Sequence, residues 1–158
     1  MNETTVTLGI DPLRVLRAKI RVGNVIDATD DQANAAIRAE GSRAGQYSHK
    51  YMPNKVYFLQ HMDMRLYKIG ATSALFTRKR MIESEYARER LILKGRTRLA
   101  AAAWGSLDHE RHVHTMFAHL RIRHPQLVST EWFRGDPELV KYIAGLIADD
   151  IAWIPEDA

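Results

Sequence analysis

The chain has no cysteine. That excludes disulfides, thiolate nucleophiles and cysteine-based zinc sites together, and it suits a reducing compartment. Long apolar runs are also missing: none approaches the roughly 18–20 residues of a membrane span. The start, Met1-Asn2-Glu3-Thr4-Thr5, lacks the basic and apolar stretches of a secretory signal. The expectation is a cytoplasmic protein with no membrane segment. There is no glycine-rich phosphate loop, no strand-linked Gly-x-Gly-x-x-Gly and no Gly-x-Ser-x-Gly elbow, so nucleotide-cofactor folds and serine-hydrolase chemistry have no support. The run His109-Glu110-Arg111-His112-Val113-His114 comes near a zinc-protease motif and fails it. That motif needs histidines four apart with glutamate directly after the first, and the residue four after His109 is Val113.

What the chain does have is an uneven charge. Its 158 residues carry a net +4. Residues 1–50 hold 7 basic and 6 acidic side chains, 51–123 hold 14 and 6, and 124–158 hold 2 and 7. The middle is strongly basic and the tail acidic, an asymmetry that points to a polyanionic partner, phosphate first. A solvated charged surface is the plainer alternative. The length suits one domain, or one domain with a small appendage.

Residues 1–50 read as two short helices and a linker. Asp11 caps a helix that opens on Pro12 and ends by Gly23. A second, alanine-rich helix runs from Thr29 or Asp30 through Ala39. Gly41 to Asn54 reads as linker. At Lys55 the pattern changes. Val56-Tyr57-Phe58-Leu59-Gln60 and Leu66-Tyr67-Lys68-Ile69-Gly70 read as two strands of a hairpin, with a turn over 61–65. A helix follows from about Ser73 to Ala87, capped by Thr72 or Ser73. Leu91-Ile92-Leu93 and Leu99 to Trp104 are candidate strands around a polar turn, and helix competes for the alanine-rich second one. Asp108 opens a helix to about Ile122 with Val113, Met116, Phe117 and Leu120 as its apolar stripe. Glu131-Trp132-Phe133 is a short strand or turn. Asp136-Pro137 starts a last helix whose buried set is Leu139, Val140, Ile143, Leu146, Ile147 and Ile151. The sum is α+β, a small antiparallel sheet covered by helices.

Three groups of residues can do chemistry. Glu110 and His114, four apart, lie about 40° apart around a helix, at the edge of its buried stripe. A carboxylate there must be paired or bind a cation, and a hard cation such as Mg²⁺ takes one or two carboxylates, water and phosphate oxygens. An exposed glutamate serving the helix dipole is the competing reading. His109 and His112 read as surface groups. Arg78-Lys79-Arg80, followed by Arg88, Arg90, Lys94, Arg96 and Arg98, can grip phosphate. Tyr57 and Lys68 share a face if the hairpin register matches, and a lysine beside Ile69-Gly70 is costly to bury without purpose.

In this order the pieces resemble the GIY-YIG endonuclease superfamily. Val56-Tyr57-Phe58-Leu59 looks like the first half of the name motif. Lys68-Ile69-Gly70 resembles the second half, with lysine in place of tyrosine. Glu110-x-x-x-His114-x-x-Phe117 and then Glu131-Trp132-Phe133 are similar to the phage and fungal subgroup in which Lys-Ile-Gly is usual. The resemblance covers roughly residues 54–146. It implies a three-stranded antiparallel sheet flanked by helices, over residues 51–158, preceded by a helical extension and linker over 1–50. It implies a DNA endonuclease of phage, mobile-element or defence origin, in which Glu110 holds Mg²⁺ or Mn²⁺, Tyr57 positions or deprotonates the attacking water, and a helix arginine neutralises the phosphate. Counting from Gly70 favours Arg78 for that arginine; the apolar pair Met81-Ile82 favours Arg80. His114 orients water or substrate. Lys68 departs from the family pattern and suits a phosphate contact, or a base if burial lowers its pKa, and the family's late asparagine has no clear match. The partner expected is double-stranded DNA; the 1–50 segment helps grip it or forms a homodimer, and its basic residues Arg14, Arg17, Lys19 and Arg21 are compatible with either. The alternative is a nucleic-acid-binding module on the same fold without catalysis.

Overall fold

The computed structural model describes residues 11–40, 53–89, 96–123 and 132–156, with the backbone alone for 85–89. The expected strand at Leu91-Ile92-Leu93, most of the linker, Glu131, Arg90 and Lys94 lie outside these residues, as does the side chain of Arg88.

The first helix, α1 (Pro12–Lys19), begins where the sequence places it. Asp11 accepts a hydrogen bond from the Leu13 amide, and Pro12 occupies the first turn. It ends at Lys19 rather than reaching Gly23. A 3-10 turn (Val25–Asp27) leads to α2 (Asp30–Ala39). Thr29 and Gln32 form a capping box there, satisfying two otherwise orphaned amides.

The hairpin strands are β1 (Lys55–His61) and β2 (Leu66–Thr72). The buried His61 closes their turn, its Nδ1 accepting from the Asp63 and Met64 amides. Helix α3 (Leu75–Glu89) follows, and then β3 (Thr97–Trp104). Strand wins over helix in β3 because Ala101, Ala102 and Ala103 pair with β1 and lie fully buried between layers, where small side chains let helices approach both faces. Next come α4 (Leu107–Met116), β4 (Trp132–Arg134), α5 (Pro137–Ala148) and β5 (Ala152–Trp153). Helix α4 stops six residues short of Ile122; a separate 3-10 turn, Ala118–Leu120, carries Leu120 into the core.

The sheet has five antiparallel strands in the order β4-β2-β1-β3-β5, not three. The two additions are its short edges. Trp132 pairs with Lys68, and Ala152 and Trp153 pair with Ala103 and Ala102. Ile151, expected in the last helix, belongs to the turn before β5, and Val140 of that helix is exposed.

Both faces of the sheet are covered. Val56, Phe58, Ile69, Ala101 and Phe133 point to one face and meet Leu13, Val113, Phe117, Leu139, Ile143 and Leu146 from α1, α4 and α5. Tyr57, Leu59, Ala102 and Trp132 point to the other, against Leu75 and Ile82 of α3. A third cluster seats the N-terminal helices on Trp104, with Leu16, Ile20, Ala33 and Ile37 buried there. Arg14 and Arg17 are committed to this seating: they pair with Asp149 at 2.6 Å and Asp150 at 2.7 Å. Among the described residues no helix is long and apolar enough to cross a membrane.

Candidate functional site

Registry places Tyr57 and Lys68 on one face. Tyr57 pairs with Gly70 and Leu59 with Lys68, so Tyr57, Leu59, Lys68 and Gly70 all project to the α3 side. Both Tyr57 and Lys68 are buried, the lysine at 1% exposure, with its Nζ 6.0 Å from the Trp132 ring. The phenol of Tyr57 lies flat against Gly70. A Cβ on that residue would fall inside contact distance of the Tyr57 hydroxyl and 2.7 Å from Cε2. Glycine at position 70 therefore makes the space in which the hydroxyl sits.

Helix α3 lies over this face. Leu75 and Ile82 are its buried positions, and Arg78 falls on the same side, half-buried. Arg80 lies about 140° round the helix from Leu75 and is exposed. Arg78, not Arg80, is the arginine that the fold turns toward the sheet.

Glu110 and His114 approach from α4, which crosses beside β2. Glu110 is buried, and its Oε1 is 3.4 Å from His114 Nε2. The 2.7 Å bond from His114 reaches the carbonyl of Ile69, the residue before Gly70. Tyr57 against Gly70 and His114 on the Ile69 carbonyl thus meet neighbouring residues of β2 from different elements, with Glu110 held beside His114. A carbonyl can only accept, so His114 Nε2 carries the proton. Nδ1 then accepts from Arg121 Nη2 at 3.1 Å. With both nitrogens engaged, His114 is an orienting group rather than a metal ligand.

Sequence reasoning missed Arg121. It follows the 3-10 turn and is held by a bridge to Phe133, by its position 5.3 Å over that ring, and by the adjacent Ile122 amide bonding to the Trp132 carbonyl. Arg111, His114, Thr115, Ala118, Arg121 and Arg123 line an open cleft of about 530 Å³ beside the site. His109 was also misjudged as a surface group. It is buried at the start of α4, where Nδ1 accepts from the Ser106 amide at 2.9 Å and Nε2 meets Glu40 Oε1 at 2.6 Å. The signal for it is its place three residues after Ser106, the spacing of a capping box.

Among the described residues no group of three His, Asp or Glu side chains forms a metal cage. Zinc, with three or four protein ligands, is poorly served. A single buried carboxylate beside a basic cleft suits Mg²⁺, which completes its shell with water and phosphate oxygens.

A model of the T5orf172 domain matches residues 54–148, from the residue before β1 to the end of α5. The chain belongs to the T5orf172 domain family. This is a nuclease-type family, so a site of one carboxylate and several arginines falls in a chemically consistent setting. No curated protein and no solved structure matches the chain. The T5orf172 match begins after α1 and α2, yet those helices bury Leu13 in the core and cover Trp104.

Proposed function

We propose that this T5orf172 chain is a metal-dependent endonuclease of the GIY-YIG type, hydrolysing phosphodiester bonds in DNA. The observation that carries the reading is that Tyr57 packs on Gly70 while His114, paired with Glu110, bonds the carbonyl of the preceding Ile69. Each residue has a role its position supports. Glu110 would hold Mg²⁺ or Mn²⁺, which when bound lowers the energy of charge on the leaving oxygen. Tyr57, packed on Gly70, positions the attacking water. Arg78, on the sheet side of α3, meets the phosphate and offsets charge that builds there. Lys68 is buried on the same face as Tyr57 and would act on the phosphate through its charge, not by contact. His114, with its proton fixed on Nε2, holds the peptide around which these groups gather.

The test is cleavage of supercoiled plasmid with Mg²⁺ or Mn²⁺, comparing wild type with Glu110→Gln. The expected result is nicking that needs metal and falls on the order of 100-fold or more in the variant. A folded wild type that cuts neither double-stranded DNA, single-stranded DNA nor RNA would sink the proposal. If that protein still bound DNA with a steep salt dependence, the binding-module reading would replace it, and the buried lysine standing where the GIY-YIG name motif has tyrosine is the feature that favours that outcome.

A further inference from the structure

The cleft lined by Arg111, His114, Arg121 and Arg123 shares only His114 with the roles given above. Three of its side chains are guanidinium groups, and among the described residues no carboxylate lines it. Arg121 is fixed by Phe133 on one side and His114 on the other, and its Nε is buried without a hydrogen-bond partner. Arg123 stands at the mouth and is exposed. Arg111 is exposed too, and its ion pair to Asp108 is long, at 3.8 Å. The Thr115 hydroxyl donates to the Arg111 carbonyl, so the cleft's character is set by its arginines. Forked cations grouped in an open cleft, one of them held rigid, select tetrahedral oxyanions, and phosphate above all.

We infer that this cleft binds a backbone phosphate of the nucleic acid, one flanking the bond that the Glu110 site would cut. The inference rests on the nuclease-type reading, since His114 forms a wall of both places. Openness favours a phosphodiester in a strand over free phosphate: a strand enters and leaves such a cleft without breaking its path. Because Arg121 holds His114 Nδ1, a strand seated here also presses on the group that orients the Ile69–Gly70 peptide.

The experiment is fluorescence anisotropy of a labelled DNA duplex, in EDTA so that no cutting intervenes. Wild type is compared with the double variant Arg111→Ala/Arg123→Ala and with Arg38→Ala, an exposed arginine of α2 that does not line the cleft. The double variant should bind on the order of 10-fold more weakly at about 0.1 M salt, and its log–log salt slope should drop by about 1 for each phosphate that is no longer neutralised. Arg38→Ala should match wild type. An unchanged double variant, with wild type binding well, overturns the cleft and leaves the nuclease reading standing. A wild type that binds no nucleic acid overturns both. If inorganic phosphate at equal concentration competes as well as unlabelled duplex, the site is one for the free anion and the strand inference fails.

Discussion

Gly70 shows how one missing atom group can set a site. The space a Cβ would need is filled by the ring of Tyr57, which is buried. Gly70→Ala should therefore cost on the order of 1–3 kcal/mol, as overpacking of a tight interior does, and should push the Tyr57 hydroxyl off the Ile69–Gly70 peptide. Thermal unfolding of a double-mutant cycle checks this. In a Tyr57→Leu background the same alanine should cost much less, and an equal cost in both backgrounds would show that some other contact governs the position. At this scale the sequence was partly readable. Glu110 and His114 are four apart on one helix, so their adjacency follows from helical geometry alone. Tyr57 and Gly70 follow from hairpin register. Arg121 does not, because its placement depends on a bridge to Phe133 that no local spacing encodes. The choice between Arg78 and Arg80 needed knowledge of which side of α3 the sheet occupies.

Helices were easier to foresee than strands, for a physical reason. Asp11-Pro12, Thr29 with Gln32, and Asp136-Pro137 are local devices that satisfy or remove terminal amides, and they act within four residues. The edge strands have no such devices. Two-residue β5 exists only because Ala102 and Ala103 offer it a ladder, and three-residue β4 only because β2 does. The Asp11 cap also ties elements together, for Tyr142 of α5 donates its hydroxyl to Asp11 Oδ1 at 2.9 Å. Burial, then the nearby Asp11 charge and that hydrogen bond, raise the phenol's pKa well above its usual range. The folded state thus holds a proton that the unfolded chain releases above about pH 10. This contribution to stability is fully present below that pH and is lost progressively above it, as pH rises toward the higher pKa of the folded state. Tyr142→Phe should be destabilised by about 1 kcal/mol at pH 7, and its stability should fall less steeply than wild type between about pH 9 and 11. Urea midpoints across that range give the comparison; parallel curves would remove Tyr142 from the account.

Across the whole molecule, the N-terminal helices close a core that the T5orf172 match alone leaves open. Leu16, Ile37 and Trp104 share one cluster, and the Trp104 indole donates to the Val25 carbonyl at 3.0 Å. Asp150 is the clasp. Its backbone is left-handed, with φ 57°. Its carboxylate accepts from the Val25 amide at 3.0 Å and from Arg17 at 2.7 Å, and its carbonyl takes Arg17 Nε at 2.8 Å. Asp150→Ala should lose about 1–3 kcal/mol, since it strands two donors in a conformation alanine dislikes. Asp150→Asn keeps an acceptor for Val25 and tolerates the same backbone, so it should recover part of the loss. Chemical denaturation of the full chain resolves the two, and an alanine variant as stable as wild type would refute the clasp.

The clasp also imposes an order of events during synthesis. Arg17 and Asp150 are 133 positions apart, and translation runs from the first to the second. Helices α1 and α2 must leave the ribosome long before their anchor exists, with Leu16 and Ile37 still facing water. Isolated helices this short are marginal on their own, so the nascent chain carries an uncovered apolar surface until Trp104 and the strand that holds it are made, and the clasp at Asp150 can close only after that.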